Sequence, residues 1–310
     1  MLNFKPVIQS IHVPYNYQCS VLRLDLIDPV ISGNKWFKLK HNLEVAKSKG
    51  LSRILTFGGA YSNHIAATAA AANRFGFSSI GIIRGEPSEN PTLAVAAQNG
   101  MKLHFVSREE YRKKTTPGFT TKLREQFGDV YIIPEGGSNI EGVIGCMEIL
   151  KDIPRHDYVF CACGTATTFA GLVASAPGNS KVLGISVLKG ENKLPSEINK
   201  RLLDAGIKSG NIAGNEAISA GDDNTHLITN TYCFSGYASC NSDLIAFKKN
   251  WEAAHNIPLD YVYTAKLMYA AEDLMNHRFF ASESKILLIH SGGLQGNEGF
   301  ENRYHLTPIR

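Results

Sequence analysis

Residues 52–74 read SRILTFGGAYSNHIAATAAAANR, and this stretch decides the fold class. Its first part, 52–57, is short and apolar, with Ile, Leu, Thr and Phe, the composition of a buried strand. Gly58-Gly59 ends the run. The Ala-rich segment 63–74 then has the composition of a helix, with Asn63 where a cap is expected. A strand passing through a Gly-bearing turn into a helix opens a βαβ unit.

The same rhythm continues outwards. Further strands are predicted at 79–83, 102–106, 130–133, 158–162, 182–187 and 285–290. Helices are predicted at 92–99, 117–127, 143–151, 167–175, 243–255 and 266–275. Upstream, Lys35 begins an amphipathic helical pattern with Trp36, Leu39, Leu43 and Val45. The polar, Gly-rich tract 209–224 reads as a loop. Strands alternating with helices imply parallel sheets. A chain of 310 residues predicts roughly two domains at about 150 residues each.

Composition narrows the function classes. The chain is 44% hydrophobic and 19% charged, with a net charge of +4. The charges are scattered, and the longest basic run, Arg112-Lys113-Lys114, reads as a solvated helix face. No basic stripe interleaved with aromatics argues for a nucleic-acid partner. Cys19, Cys146, Cys161, Cys163, Cys233 and Cys240 form no disulfide framework for a chain this long. Cys161-Ala-Cys163 lacks the second pair a zinc site needs and is expected on a buried strand. The first ten residues carry no secretory pattern and no run of 18 apolar residues occurs. No membrane span is therefore expected, and a reducing cytoplasm is the default compartment.

Three Gly-bearing segments follow predicted strands: Gly58-Gly59-Ala60-Tyr61-Ser62-Asn63, Gly164-Thr165-Ala166-Thr167-Thr168 and Ser291-Gly292-Gly293. In open α/β sheets, ligands bind beyond the carboxyl ends of strands. The second segment offers hydroxyls and a following helix start, suited to a phosphate; a plain βα turn with a Thr cap fits it too. Lys35 lies at a helix start, where partial positive charge favours a neutral, nucleophilic amine; a solvated surface lysine is the alternative. Ser62 and His64 have no acidic partner nearby and no hydrolase elbow around them. His64 on its own reads as a helix-surface residue.

Taken together, these segments resemble the 1-aminocyclopropane-1-carboxylate (ACC) deaminase and D-cysteine desulfhydrase family, within the tryptophan synthase β-like, fold type II enzymes dependent on pyridoxal phosphate (PLP). Ser32-Gly33-Asn34-Lys35, with Lys38-Leu39, resembles the family's GNKxRKL motif. Residues 58–64 resemble its GGxxSNx segment. The resemblance runs from about Leu22 to Gly293, in order. It implies an α/β chain of two open, twisted parallel-sheet domains with the cofactor in the cleft between them. The large domain would comprise 1–38 and 136–310, and the small domain 39–135. Relatives are dimers, so a homodimer is expected by analogy.

The resemblance also implies roles. Lys35 matches the lysine that carries PLP as an imine. Asn63 matches the residue that hydrogen-bonds the cofactor's phenolic oxygen. Gly164, Thr165, Ala166, Thr167 and Thr168 match the phosphate loop. Ser62 and His64 match groups near the substrate carboxylate, and Tyr237 and Tyr263 match two tyrosines near the substrate. Thr264 falls where a group faces the pyridine nitrogen, and Ser291 where ACC deaminases have Leu. There are departures: Phe37 replaces the motif's Arg, Ala166 stands where relatives often have Gly, and the N-terminal segment is short.

The activity implied is α,β-elimination on a small amino acid, giving a 2-oxo acid and ammonia. ACC deaminases have Glu at the Thr264 position, and a neutral hydroxyl there suits a good leaving group such as thiolate. D-cysteine desulfhydrases carry hydroxyls at both the 264 and 291 positions. The expectation is therefore a D-cysteine desulfhydrase-like enzyme, with ACC deaminase as the alternative. A racemase or dehydratase, or a non-catalytic binding protein on the same fold, stands behind these.

Overall fold

A computed structural model describes residue 2 and residues 5–190, 194–207, 211–214 and 225–306. The chain opens with β1 (Ile8–Ile11) and β2 (Gln18–Arg23), an antiparallel pair. Helix α1 (Asn34–Ser48) follows. A run of βα units comes next: β3 (Arg53–Gly59), α2 (Asn63–Arg74), β4 (Ser78–Arg84), α3 (Pro91–Gln98), β5 (Met101–Val106), α4 (Arg108–Arg112), α5 (Pro117–Phe127) and β6 (Tyr131–Ile133). Their strands form one four-stranded sheet, ordered β5-β4-β3-β6 and parallel throughout.

The remainder builds a seven-stranded sheet. It contains α6 (Ile140–Met147), β7 (Tyr158–Cys163), α7 (Thr167–Ser175), β8 (Lys181–Ser186), α8 (Leu194–Asp204), β9 (Asn211–Ala213), β10 (Thr225–Thr229), α9 (Ser242–His255), α10 (Thr264–Asn276), β11 (Lys285–His290) and α11 (Asn297–Tyr304). The strand order is β1-β2-β11-β7-β8-β10-β9, with β1 the antiparallel edge.

The strands are buried along nearly their whole length, as β3, β4, β7, β8 and β11 show. Helices cover both faces of each sheet, which is why these strands read as apolar runs rather than alternating ones. On the large sheet, α6, α7 and α8 seal one face around Phe169, Leu172 and Ile198. Helices α9 and α10 seal the other around Trp251, Leu267 and Met268. On the small sheet, α1 and α2 pack against Ile54 and Ile133, and Phe119 and Leu123 of α5 pack against Leu55 and Phe57.

Helix α1 joins the two cores. Phe37 belongs to the large-sheet core, whereas Trp36, Leu39 and Leu43 belong to the small-sheet core. Two glycines let helices approach closely here. A Cβ at Gly145 would lie 1.8 Å from the Phe37 carbonyl oxygen, and one at Gly171 would lie 2.4 Å from Cys146 Cβ.

Several expectations needed adjustment. The helix predicted at 143–151 is α6 followed by a 3-10 turn at Glu148–Leu150. Ser62, not Asn63, caps α2, accepting from the Ile65 N–H at 3.4 Å. Of the predicted loop 209–224 only 211–214 falls within the described residues, and most of that is the edge strand β9. In the basic run, Arg112 and Lys113 are exposed at the end of α4. Lys114 instead lies 4.8 Å over the Tyr111 ring and pairs with Glu135 at 3.3 Å. Cys161 and Cys163 lie buried on β7, as expected, and all six cysteines are free. Among the described residues no helix is long and apolar enough to cross a membrane.

Candidate active site

Lys35 is the second residue of α1, and its surroundings explain its chemistry. The helix is entered through Gly33, at φ 65°. A Cβ there would lie 1.8 Å from the Ser291 carbonyl oxygen, so the start of α1 and the end of β11 touch through bare backbone. The Asn34 N–H also donates to that oxygen at 3.2 Å. Lys35 Nζ is partly covered and donates to Asn34 Oδ1 at 2.6 Å. Burial, and after it the positive charge of Lys38, pull the Lys35 amine down to about 7. Lys35 is therefore not a solvated surface lysine, and covering rather than the helix end is the leading cause.

The segment 164–168 connects β7 to α7. Residue Ala166 precedes the helix in the left-handed region, φ 54° and ψ 10°, and no side chain caps the helix start. The predicted Thr cap is thus absent, and the first-turn amides face outward uncapped. Thr165 and Thr167 hydroxyls bond each other at 2.9 Å. The Thr168 hydroxyl accepts from Asn34 Nδ2 at 2.9 Å, which ties this turn to the residue beside Lys35. Arg201 Nη1 steadies the turn from behind, donating to Thr165 O at 2.6 Å.

The segment 58–64 reaches the site through Asn63, against Gly293, and His64, which feels the Lys35 charge. Asn63 Oδ1 is buried without a hydrogen-bond partner, while its Nδ2 reaches Gly293 O at only 3.5 Å. His64 is 2% exposed, which corrects the expectation of a helix-surface residue. Burial first, then the charges of Lys35 and Lys38, push its pKa down to about 3. Its tautomer follows from hydrogen-bond logic. The Thr56 hydroxyl donates to Ile133 O at 2.9 Å, so it must accept from His64 Nε2–H, also at 2.9 Å. His64 Nδ1 is then a bare acceptor, buried and unpartnered.

From the large sheet come the tyrosines and Thr264. A Cβ at Gly164 would lie 3.3 Å from the Tyr263 ring, so that ring rests on the 164–168 turn. Tyr237 meets Tyr263 edge-on, 6.1 Å between ring centroids. Burial raises both pKa values, Tyr263's further because the Tyr237 charge opposes its ionisation. Both phenols therefore keep their protons at neutral pH. Tyr237 is 49% exposed.

Thr264 is fully buried at the start of α10. Its hydroxyl donates to Asp260 Oδ1 at 2.8 Å and accepts from the Asp260 N–H at 2.7 Å. Sequence reasoning missed Asp260 altogether. Its carboxylate also accepts the Val262, Tyr263 and Thr264 N–H groups at 2.9, 2.9 and 2.8 Å. A Cβ at Gly293 would lie 3.4 Å from Asp260 Cγ, and the Asp260 charge acts on Lys35. The second residue missed is Lys38, buried one helical turn beyond Lys35. Burial lowers its pKa, against the pull of Cys146 and Cys163 beneath the 164–168 turn. The signal for it was Lys38 within the motif itself. Ser291 lies buried against Gly33.

Comparisons with known proteins give the family. A family model described as "Pyridoxal-phosphate dependent enzyme" matches residues 6–292. The chain belongs to that family. A putative ACC deaminase from Thermotoga maritima is 32% identical to this PLP enzyme, covering 95% of this chain and 96% of its own. A mitochondrial bifunctional D-cysteine desulfhydrase/ACC deaminase from Arabidopsis thaliana is 29% identical, over 92% of this chain and 74% of its own. The crystal structure of an ACC deaminase homologue superposes with a TM-score of 0.81 at 24% identity, covering 97% of this chain and 93% of that one. It shares the fold of this chain.

The residues of this PLP enzyme fit the cofactor. The uncapped start of α7, with the buried Lys38 amine acting on Cys163 before it, suits a phosphate group. The unpartnered Oδ1 of Asn63 can accept from a ring hydroxyl. A lysine amine near pKa 7 suits a carbonyl carbon.

Proposed function

We propose that the enzyme removes the α-proton and a β-substituent from a small amino acid, releasing a 2-oxo acid and ammonia. The carrying observation is the Lys35 amine, held near pKa 7, with Asn34 bonded to the uncapped α7 turn and His64 feeling the Lys35 charge. PLP, when bound, withdraws electrons from the substrate's α-carbon. The freed Lys35 amine, neutral above about pH 7, takes the α-proton as general base. The Ser62 hydroxyl and the first amides of α2 bind the substrate carboxylate, as anions favour a helix start. His64 Nδ1, a bare acceptor, meets a donor rather than the carboxylate. Tyr237 and Tyr263 keep their protons and offer them to the departing group. With PLP bound, Asn63 would meet its ring oxygen, residues 164–168 would hold its phosphate, and Thr264 and Ser291 would border its ring.

Hydroxyls at 264 and 291, in place of a carboxylate and a leucine, favour D-cysteine over ACC. A second reading has its own support. The buried Asp260 carboxylate, against Gly293 and bonded to Thr264, supplies negative charge beside the pocket that ring opening of ACC would need. Supplying D-cysteine and ACC separately to the purified holoenzyme tests the choice. Pyruvate and sulfide from D-cysteine, with 2-oxobutanoate from ACC slower by tenfold or more, are expected. Faster release of 2-oxobutanoate would reverse the assignment. The division into 39–135 and the remainder is kept within this reading, supported by the four small-sheet strands lying between Arg53 and Ile133.

A further inference from the structure

A buried ammonium underlies the chain segment that carries Tyr237. Lys266, on α10, is fully buried, and burial lowers its pKa to about 8. Among the described residues no carboxylate lies within ion-pair distance of it. Its Nζ instead donates to the carbonyl oxygens of Cys233 and Gly236, each at 2.8 Å. Those carbonyls head two successive turns. The Gly236 N–H donates to Cys233 O at 3.0 Å, and the Ser239 N–H to Gly236 O at 3.3 Å. Within the turns Phe234, Ser235 and Ala238 lie in the left-handed region, at φ 50°, 72° and 51°, beside Gly236 at 119°. Non-glycine residues avoid that region unless their surroundings impose it. Tyr237 sits inside this strained backbone, its ring against Tyr263.

We propose that Lys266 is a positioning residue that holds the 233–239 double turn in its left-handed form and so sets Tyr237 against Tyr263 at the substrate side of the cleft. The inference rests on the reading of Tyr237 as a substrate-facing group. An ammonium suits the task because it donates to two carbonyls at once and carries no lone pair to repel them. Methionine fills a similar volume and donates nothing.

A double-mutant cycle on the holoenzyme tests this, using whichever of D-cysteine and ACC is turned over. Lys266→Met and Tyr237→Phe are each expected to lower kcat/KM about tenfold or more, and the double variant to lose little beyond Tyr237→Phe alone. Losses that multiply would overturn the proposal, because a merely structural lysine gives that pattern. An impaired Tyr237→Phe beside an unimpaired Lys266→Met would overturn it while leaving the role of Tyr237 intact. Wild-type kinetics in Tyr237→Phe would remove that role and this inference together. Should Lys266→Met not fold, hydrogen exchange of the wild-type holoenzyme decides: the Gly236 and Ser239 amides are expected to exchange slowly, and free exchange overturns the proposal.

Discussion

At the scale of the residue, two bases share one cleft, and their surroundings set them apart. Lys35 and His64 are both depressed by burial and by neighbouring ammonium groups, Lys35 to about 7 and His64 to about 3. Lowering a cationic group's pKa means the proton is lost at lower pH. Below about pH 7 the Lys35 amine is an ammonium and cannot attack a carbonyl; above it the amine is free. Covalent uptake of PLP by the apoenzyme is therefore expected to speed up as pH rises through about 7 and to level off beyond it. Stopped-flow growth of the visible absorption band measures this. A rate still climbing steeply at pH 9 to 10 would mark an ordinary exposed lysine. His64 stays neutral across that range and adds no inflection. The sequence showed Lys35 and His64 as members of motifs. It did not show their covering, because burial is contributed by residues far along the chain: Ser291 for the start of α1, and Ile133, by way of Thr56, for His64.

At the scale of the element, the βα units were legible because each carries its own signals. Helices α2, α5 and α7 and strand β11 begin and end where composition and turn residues predicted them. Strands β1, β2, β9 and β10 and helices α4, α8 and α11 escaped notice. β2 and β10 mix polar with apolar residues, so pairing with β11 and β8 makes them strands. The junction of α1 with β11 is likewise a property of two elements together. Gly33 is there for contact as well as for its positive φ, since any Cβ would strike the Ser291 carbonyl. Gly33→Ala is expected to cost at least about 3 kcal/mol, the strain of a left-handed alanine plus a backbone clash. Urea unfolding checks this. A midpoint unchanged from wild type would mean that the two backbones do not touch as described.

At the scale of the whole molecule, the site is assembled from both sheets. Ser62–His64 extends from the small sheet, and 164–168, Asp260–Thr264 and 291–293 from the large one, with α1 packed into both cores. A ligand bound to such a cleft stabilises only the assembled form. Removing PLP is therefore expected to lower Tm by roughly 4 °C, taking about 2.7 kcal/mol for a ligand at a hundred times its Kd. Calorimetry of the apoenzyme and reconstituted enzyme measures it; equal melting temperatures would deny that the cofactor spans the two halves. The sequence by itself determined the α/β class, the motif lysine and the Gly-bearing turns, because strand, turn and helix signals are local in the chain. Only the tertiary structure decided which groups are buried, which proton each holds, and that Asp260 and Lys38 belong to the cleft. Those properties depend on what distant segments bury and on which donors they bring within hydrogen-bond reach, and no local stretch of residues encodes that.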